Sequence, residues 1–231
     1  MTAPPVLVAV AHGTRDPAGP VVLARLLDDV RARLPGVEVR VAYVDVIGPT
    51  LDEVLAATPR AVVVPMFLAS GYHVRVDVPE VVARSDSDAV VTAPLGPDAL
   101  VVGAVADRLR AASGLGAAGG LNGLPEAVVL AAAGSSDQRA LADVEAAGQR
   151  LAAQLERPVT IGYVTTAAPT VAQAVEAHRR AGRGRVAIAS YLLAPGLFQS
   201  RLDDAGADVV AGPIGAHPMI AELIVARYRS A

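Results

Sequence analysis

The chain repeats itself, and that duplication limits its folds more than any other feature. VLVAVAHGTRDP from Val6 lines up with AVVLAAAGSSDQ from Ala127, which pairs Gly13 with Gly134. VAYVDVIGPTLDEVL from Val41 lines up with IGYVTTAAPTVAQAV from Ile161, pairing Tyr43 with Tyr163 and Pro49 with Pro169. VVVPMFLASGYH and VAIASYLLAPGLF align Gly71 with Gly196, and TAPLGPDAL and AGPIGAHPM align Gly96 with Gly215. Four blocks in one order, at offsets between 119 and 125, mark two copies of one structural unit. The expected domains are 1–112 and 127–231, joined by the Gly-rich segment 113–126, which reads as a linker.

Within the first copy, Val-rich apolar runs fall near 6–11, 37–44, 60–66 and 88–93. Continuous runs without alternation are what parallel strands buried on both faces show. Between the first two, Pro20 to Leu34 gathers Val21, Val22, Leu23, Leu26, Leu27, Val30 and Leu34 mostly on one stripe, with Arg25, Asp28, Asp29 and Arg31 elsewhere, as in a helix covering a sheet. Strand–helix alternation of this kind gives right-handed βαβ units. The fold class is therefore α/β, with two flavodoxin-like domains of about four parallel strands each and flanking helices. Ligands of such sheets bind at the carboxyl ends of the strands, so the loops holding His12–Gly13–Thr14 and Phe67 to Asp77 are expected at one edge.

Composition removes several chemistries. There is no Cys, hence no disulfide, thiolate metal site or Cys nucleophile. Aromatic residues are 3% of the chain, so the core is aliphatic. All 20 basic residues are Arg against 23 acidic ones, and a net charge of −3 gives no bulk attraction to nucleic acid or to an anionic membrane. The N-terminal MTAPPVLVAVAHG lacks a basic region before its apolar run, and no window approaches the roughly 20 apolar residues a membrane span needs. A cytoplasmic protein is expected.

Chemistry must then come from the four histidines and their neighbours. His12 leaves the first strand just before Gly13, and His73 follows Gly71 after the third, both at the predicted ligand edge. Neutral imidazole ligates divalent Fe, Co, Ni or Zn and accepts protons at neutral pH. In the second copy the equivalent positions are Ala133 and Phe198, so the scaffold persists without either imidazole and a purely structural role is disfavoured. His217, which matches Asp98, is expected to cap a helix, and His178, beside Arg179 and Arg180, to be solvated. Asp77 before Val78–Pro79 could orient His73 or cap a helix, and the cap is the preferred reading. Tyr43 has a partner, Tyr163, in the copy without histidines, which points to packing.

HGTRDP after the first strand, then PMFLASGYHVRVDVP and APLGPD, resemble the sirohydrochlorin chelatase family, the CbiX/SirB-type chelatases. The second copy, with AAAGSSD and SYLLAPGLFQSRL, is similar to the histidine-poor C-terminal half of long two-domain members. The resemblance implies insertion of Co²⁺ or Fe²⁺, with Ni²⁺ also suited to imidazole, into sirohydrochlorin on the way to sirohaem or cobalamin. The divalent metal is then a substrate, and no organic cofactor is implied. His12 and His73 match the family's motif histidines and are implied as metal ligands and proton acceptors. Arg15 and Arg75 flank them and suit the carboxylates of an anionic tetrapyrrole, with Thr14 and Gly71 beside them as substrate contacts. Glu80 is a further candidate for proton removal. The duplication implies a monomer with two pseudo-symmetric domains. Two rivals stay open: a metal or tetrapyrrole carrier without turnover, and a histidine phosphatase, whose phosphate-clamping Arg is replaced here by Ala11. Neither GxGxxG nor GxxxxGK[ST] follows any strand, which argues against a nucleotide site.

Overall fold

The computed structural model describes residues 3–115 and 122–231; part of the expected linker, 116–121, lies outside them. The first sheet is built from β1 (Val6–Ala11), β2 (Val39–Tyr43), β3 (Arg60–Pro65) and β4 (Asp88–Val91), all parallel, in the order β2-β1-β3-β4. Parallel neighbours need crossovers, supplied here by α1 (Ala18–Arg33), α2 (Leu51–Ala56) and α3 (Val78–Arg84). Helix α1 buries Leu23, Leu26, Leu27 and Val30, an i, i+3, i+4, i+7 stripe, whereas Val21, expected on that stripe, is exposed. Val8, Val10, Val63, Leu51, Leu55 and Val78 share one core beneath α2 and α3. A fully buried Leu or Val of this kind stabilises by about 1.5–3 kcal/mol.

The second unit repeats this plan. It opens with α4 (Ala99–Ala112) and continues through β5 (Ala127–Ala132), α5 (Gln138–Leu155), β6 (Val159–Tyr163), α6 (Val171–Arg180), β7 (Val186–Tyr191), α7 (Leu197–Asp203) and β8 (Val209–Val210). Its parallel sheet runs β6-β5-β7-β8, with Val129, Ala131, Val186 and Ile188 in the core. The repeated Pro-Thr is explained by helix entry. Thr50 and Thr170 each cap a helix by accepting the N–H of Glu53 or Gln173, whose side chains accept from the cap residue in return. Strand β4 departs from the expected two-sided burial: it is an edge strand, and Asp88 and Val90 face solvent.

Repeat and packing boundaries differ. The last helix, α8 (Pro218–Arg229), belongs to the first unit, which comprises residues 1–96 and 216–231, while the second unit is 97–215. Helix α8 packs on α1 and β3, and Tyr228 Oη donates to Pro5 O at 2.8 Å. Helix α4 packs on α5, β7 and β8. Each repeat thus hands its final helix to the other unit. As expected, His217 caps α8, its Nδ1 accepting from Met219 N–H, just as Asp98 caps α4 by accepting from Leu100 N–H.

His178 is a correction: on α6 it is half-buried rather than solvated, and its Nε2 is shielded with no hydrogen-bond partner among the described residues. Burial lowers its pKa, and Arg183 lowers it further.

Two predictions follow from this packing. Helix α8 buries Ile220, Ala221, Leu223, Ile224 and Val225, so a 1–112 fragment leaves β3 and α1 uncovered. We expect no cooperative urea transition for 1–112 and a cooperative one for 97–215, which holds all of its unit; the reverse result would contradict these boundaries. For His178, the unfolded chain binds a proton more readily than the folded one, so stability is complete above about pH 6.5 and lost as pH falls below it. His178→Leu should therefore gain stability over wild type at about pH 5.5 relative to about pH 7.5, and an equal difference at both would contradict the assignment.

Candidate active site

Strand β1 lies between β2 and β3, so the chain leaves it in one direction and returns on its other side. The carboxyl ends of β1 and β3 therefore flank the switch point of the sheet, where a crevice is unavoidable. His12 follows β1 directly and His73 lies in the loop after β3. Their ring centroids are 4.8 Å apart, with the rings nearly perpendicular at 88°.

Each imidazole is held from behind. His12 sits before Gly13, whose φ of +95° suits only glycine, and a Cβ there would lie 2.2 Å from Asp45 O. Gly134 in the second unit has the same φ and the same conflict with Thr165 O, so this bend belongs to the fold. His12 Nδ1 makes a long 3.3 Å contact with Gly13 O. His73 opens a single π turn, His73–Asp77, closed by Val78 N–H donating to His73 O. Such turns are frequent at functional sites. The turn brings Asp77 Oδ2 to 2.5 Å from His73 Nδ1. Phe67 stacks on His73 with centroids 6.2 Å apart and planes 25° apart.

Asp77 corrects the preferred cap reading. It makes no capping hydrogen bond to α3, and its carboxylate is committed to His73. A carboxylate and a carbonyl only accept, so the hydrogen of each ring sits on Nδ1. In its neutral form each ring then presents Nε2 to a metal or a proton.

The other expected residues have mixed positions. Arg15 is exposed three residues after His12, and Arg75 is exposed within the π turn. Thr14 Oγ1 accepts from Asp16 N–H, which shapes the loop into α1. Gly71 O accepts from Arg75 N–H and starts the turn that carries His73. Glu80 is exposed in the first turn of α3, where its charge is felt by Arg84. Tyr43 and Tyr163 are both buried, with N–H groups donating to Pro49 O and Pro169 O, and burial raises both phenol pKa values, which is the packing role expected. Among the described residues no group of three or more His, Cys, Asp or Glu side chains forms a metal cluster. Sequence reasoning missed Asp45, whose N–H donates to His12 O at 3.1 Å and whose Oδ1 accepts from Val46 N–H. The repeat carried a signal for it: Asp45 stands opposite Thr165, so this position changed along with His12 and His73.

No helix among the described residues is long and apolar enough to cross a membrane. A sirohydrochlorin cobaltochelatase of Methanosarcina acetivorans is 26% identical over 123 residues, which span 46% of this chain and 95% of the relative. One from Methanopyrus kandleri is 25% identical over 138 residues, covering 47% and 96%. The cobalt complex of the sirohydrochlorin chelatase SirB from Bacillus subtilis subspecies spizizenii has the same fold, with a TM-score of 0.78 at 20% identity over 97% of this chain and 94% of that one. So does CbiX, described as the terminal enzyme of sirohaem biosynthesis in denitrifying bacteria, with a TM-score of 0.70 at 23% identity over 98% and 99%. The CbiX family model matches residues 6–112 and again 127–231, so both repeats, and with them the chain, belong to the CbiX family.

Proposed function

We propose that this protein inserts a divalent metal, Co²⁺ or Fe²⁺, into sirohydrochlorin. The observation that carries this reading is the pair of imidazoles 4.8 Å apart at the switch point of the first sheet, one of them anchored by a carboxylate. Family membership and the names of the relatives give the substrate class.

Insertion exchanges two pyrrolic N–H protons for one metal ion. The protein must hold the ion loosely, deliver it to the ring, and take up protons. His12 and His73 offer two Nε2 lone pairs, too few to trap an ion and enough to present it. As the ion passes to the ring nitrogens, each freed Nε2 becomes a base for a departing proton. Asp77 stabilises the imidazolium that then forms on His73, because its carboxylate already accepts from Nδ1. Guanidinium groups pair with carboxylates in a bidentate fork, and Arg15 and Arg75 are the residues we assign to the substrate carboxylates. Thr14 and Gly71 shape the two loops and are assigned to the ring's near edge. On this reading the N-terminal repeat carries the chemistry, the C-terminal repeat, lacking both imidazoles, does not, and one chain is the working unit.

Catalytic amounts of wild type should convert many equivalents of sirohydrochlorin with Co²⁺ under anaerobic conditions, followed by absorbance. His12→Ala and His73→Ala should each lose roughly 100-fold or more in rate. Stoichiometric binding without turnover would instead identify a carrier, and rates at the enzyme-free background would refute insertion. Asp77→Ala should weaken Co²⁺ binding about 10- to 100-fold, read by isothermal titration, while its thermal midpoint stays near wild type. Unchanged affinity would mean that the His73–Asp77 contact does not serve the metal.

A further inference from the structure

The roles assigned so far leave the apolar surface of the substrate without a partner. Six large apolar side chains are exposed among the described residues: Val21 on α1, Val90 on the edge strand β4, and Val46, Tyr72, Leu197 and Phe198. The last four all follow the carboxyl ends of strands. Single exposed apolar residues are ordinary and scattered; here two in each unit lie past the carboxyl ends of that unit's strands, the edge where parallel sheets bind ligands. Tyr72 is 62% exposed, and Leu197, aligned with it in the second repeat, is 64% exposed. The repeats keep a large exposed apolar side chain at this position although the next residue has changed from His73 to Phe198. Packing gives no reason for that, since the side chain lies largely outside the core.

Val46 gives an independent observation. Its backbone is left-handed, with φ +73°, and its side chain is 40% exposed. A β-branched residue is strained there, and glycine would satisfy the bend better. The bend itself comes from the fold, because Thr166 in the second unit adopts φ +63°. The Asp45 N–H bond to His12 O fixes Val46 beside the His12 loop.

We propose that Tyr72 and Val46 are apolar contacts for the tetrapyrrole ring; this rests on the insertion reading above. A metal leaving His12 and His73 enters the centre of the macrocycle, so that centre must come within bonding reach of the imidazoles. The Tyr72 ring lies 6.4 Å from the His73 ring, edge to face at 78°. A tetrapyrrole with its side chains is wider than this separation, so a ring positioned to receive the metal covers Tyr72. Val46 meets the same ring from the loop after β2, beside His12, and the strained backbone is kept for the sake of its side chain.

The test is titration of metal-free sirohydrochlorin into wild type, Tyr72→Ser, Tyr72→Phe and Val46→Gly, read by absorbance, with urea midpoints and Co²⁺ affinities measured in parallel. Tyr72→Ser and Val46→Gly should each weaken binding about tenfold. Tyr72→Phe should bind like wild type, and Co²⁺ affinity should not change. Val46→Gly should unfold at an equal or higher urea concentration, whereas a merely structural Val46 would lower it. Unchanged binding in Tyr72→Ser overturns the proposal, as does a loss in Tyr72→Phe as large as in Tyr72→Ser. Tight binding by wild type without turnover overturns the insertion reading and leaves the contacts to be decided by these affinities. Failure of wild type to bind sirohydrochlorin overturns both.

Discussion

Parallel pairing of β1 with both β2 and β3 is the constraint from which the site follows. The crossover from β1 leads to β2 on one side, and the crossover from β3 leads to β4 on the other. The loops after β1 and β3 are then pushed apart along the sheet yet open onto the same crevice. His12 and His73, 61 positions apart in the chain, meet there because backbone hydrogen bonds have set the register. The side chains near them refine that meeting. Gly13 turns the chain in a way no other residue could, and the π turn gives His73 a carboxylate four residues away.

The second unit works as an internal control on this arrangement. It keeps the strand order, the left-handed glycine, the capped Pro-Thr helix entry and the buried tyrosine. It has lost His12, Asp45 and His73, which become Ala133, Thr165 and Phe198. The strand order, the bends and the buried tyrosine that both units share are what the fold needs, and the positions that differ are among those we assign to the chemistry.

Much of this was legible in the sequence. Strand runs, the stripe of α1, the shared edge of the two loops and the caps at Asp98 and His217 all follow from local pattern, because parallel strands and amphipathic helices write their burial directly into residue order. Three features did not. Asp77 precedes Val-Pro, a pattern that reads as a helix start, and only the π turn shows that its carboxylate is taken by His73. His178 looks solvated beside two arginines, and its burial depends on what packs over α6. The exchange of α4 and α8 leaves no local mark, since a helix has the same amphipathic pattern whichever sheet it covers.

That exchange also sets the order in which the molecule can be completed during synthesis. The second unit is one uninterrupted stretch and has all its elements once residue 215 has left the ribosome. The first unit, begun at β1, waits for residues 216–231 to cover it. Domains ordinarily mature from the N-terminus onward. Here the half that carries the two histidines is started before the other and completed after it, so the imidazole pair is assembled on a sheet that stays partly bare until residues 216–231 have been made.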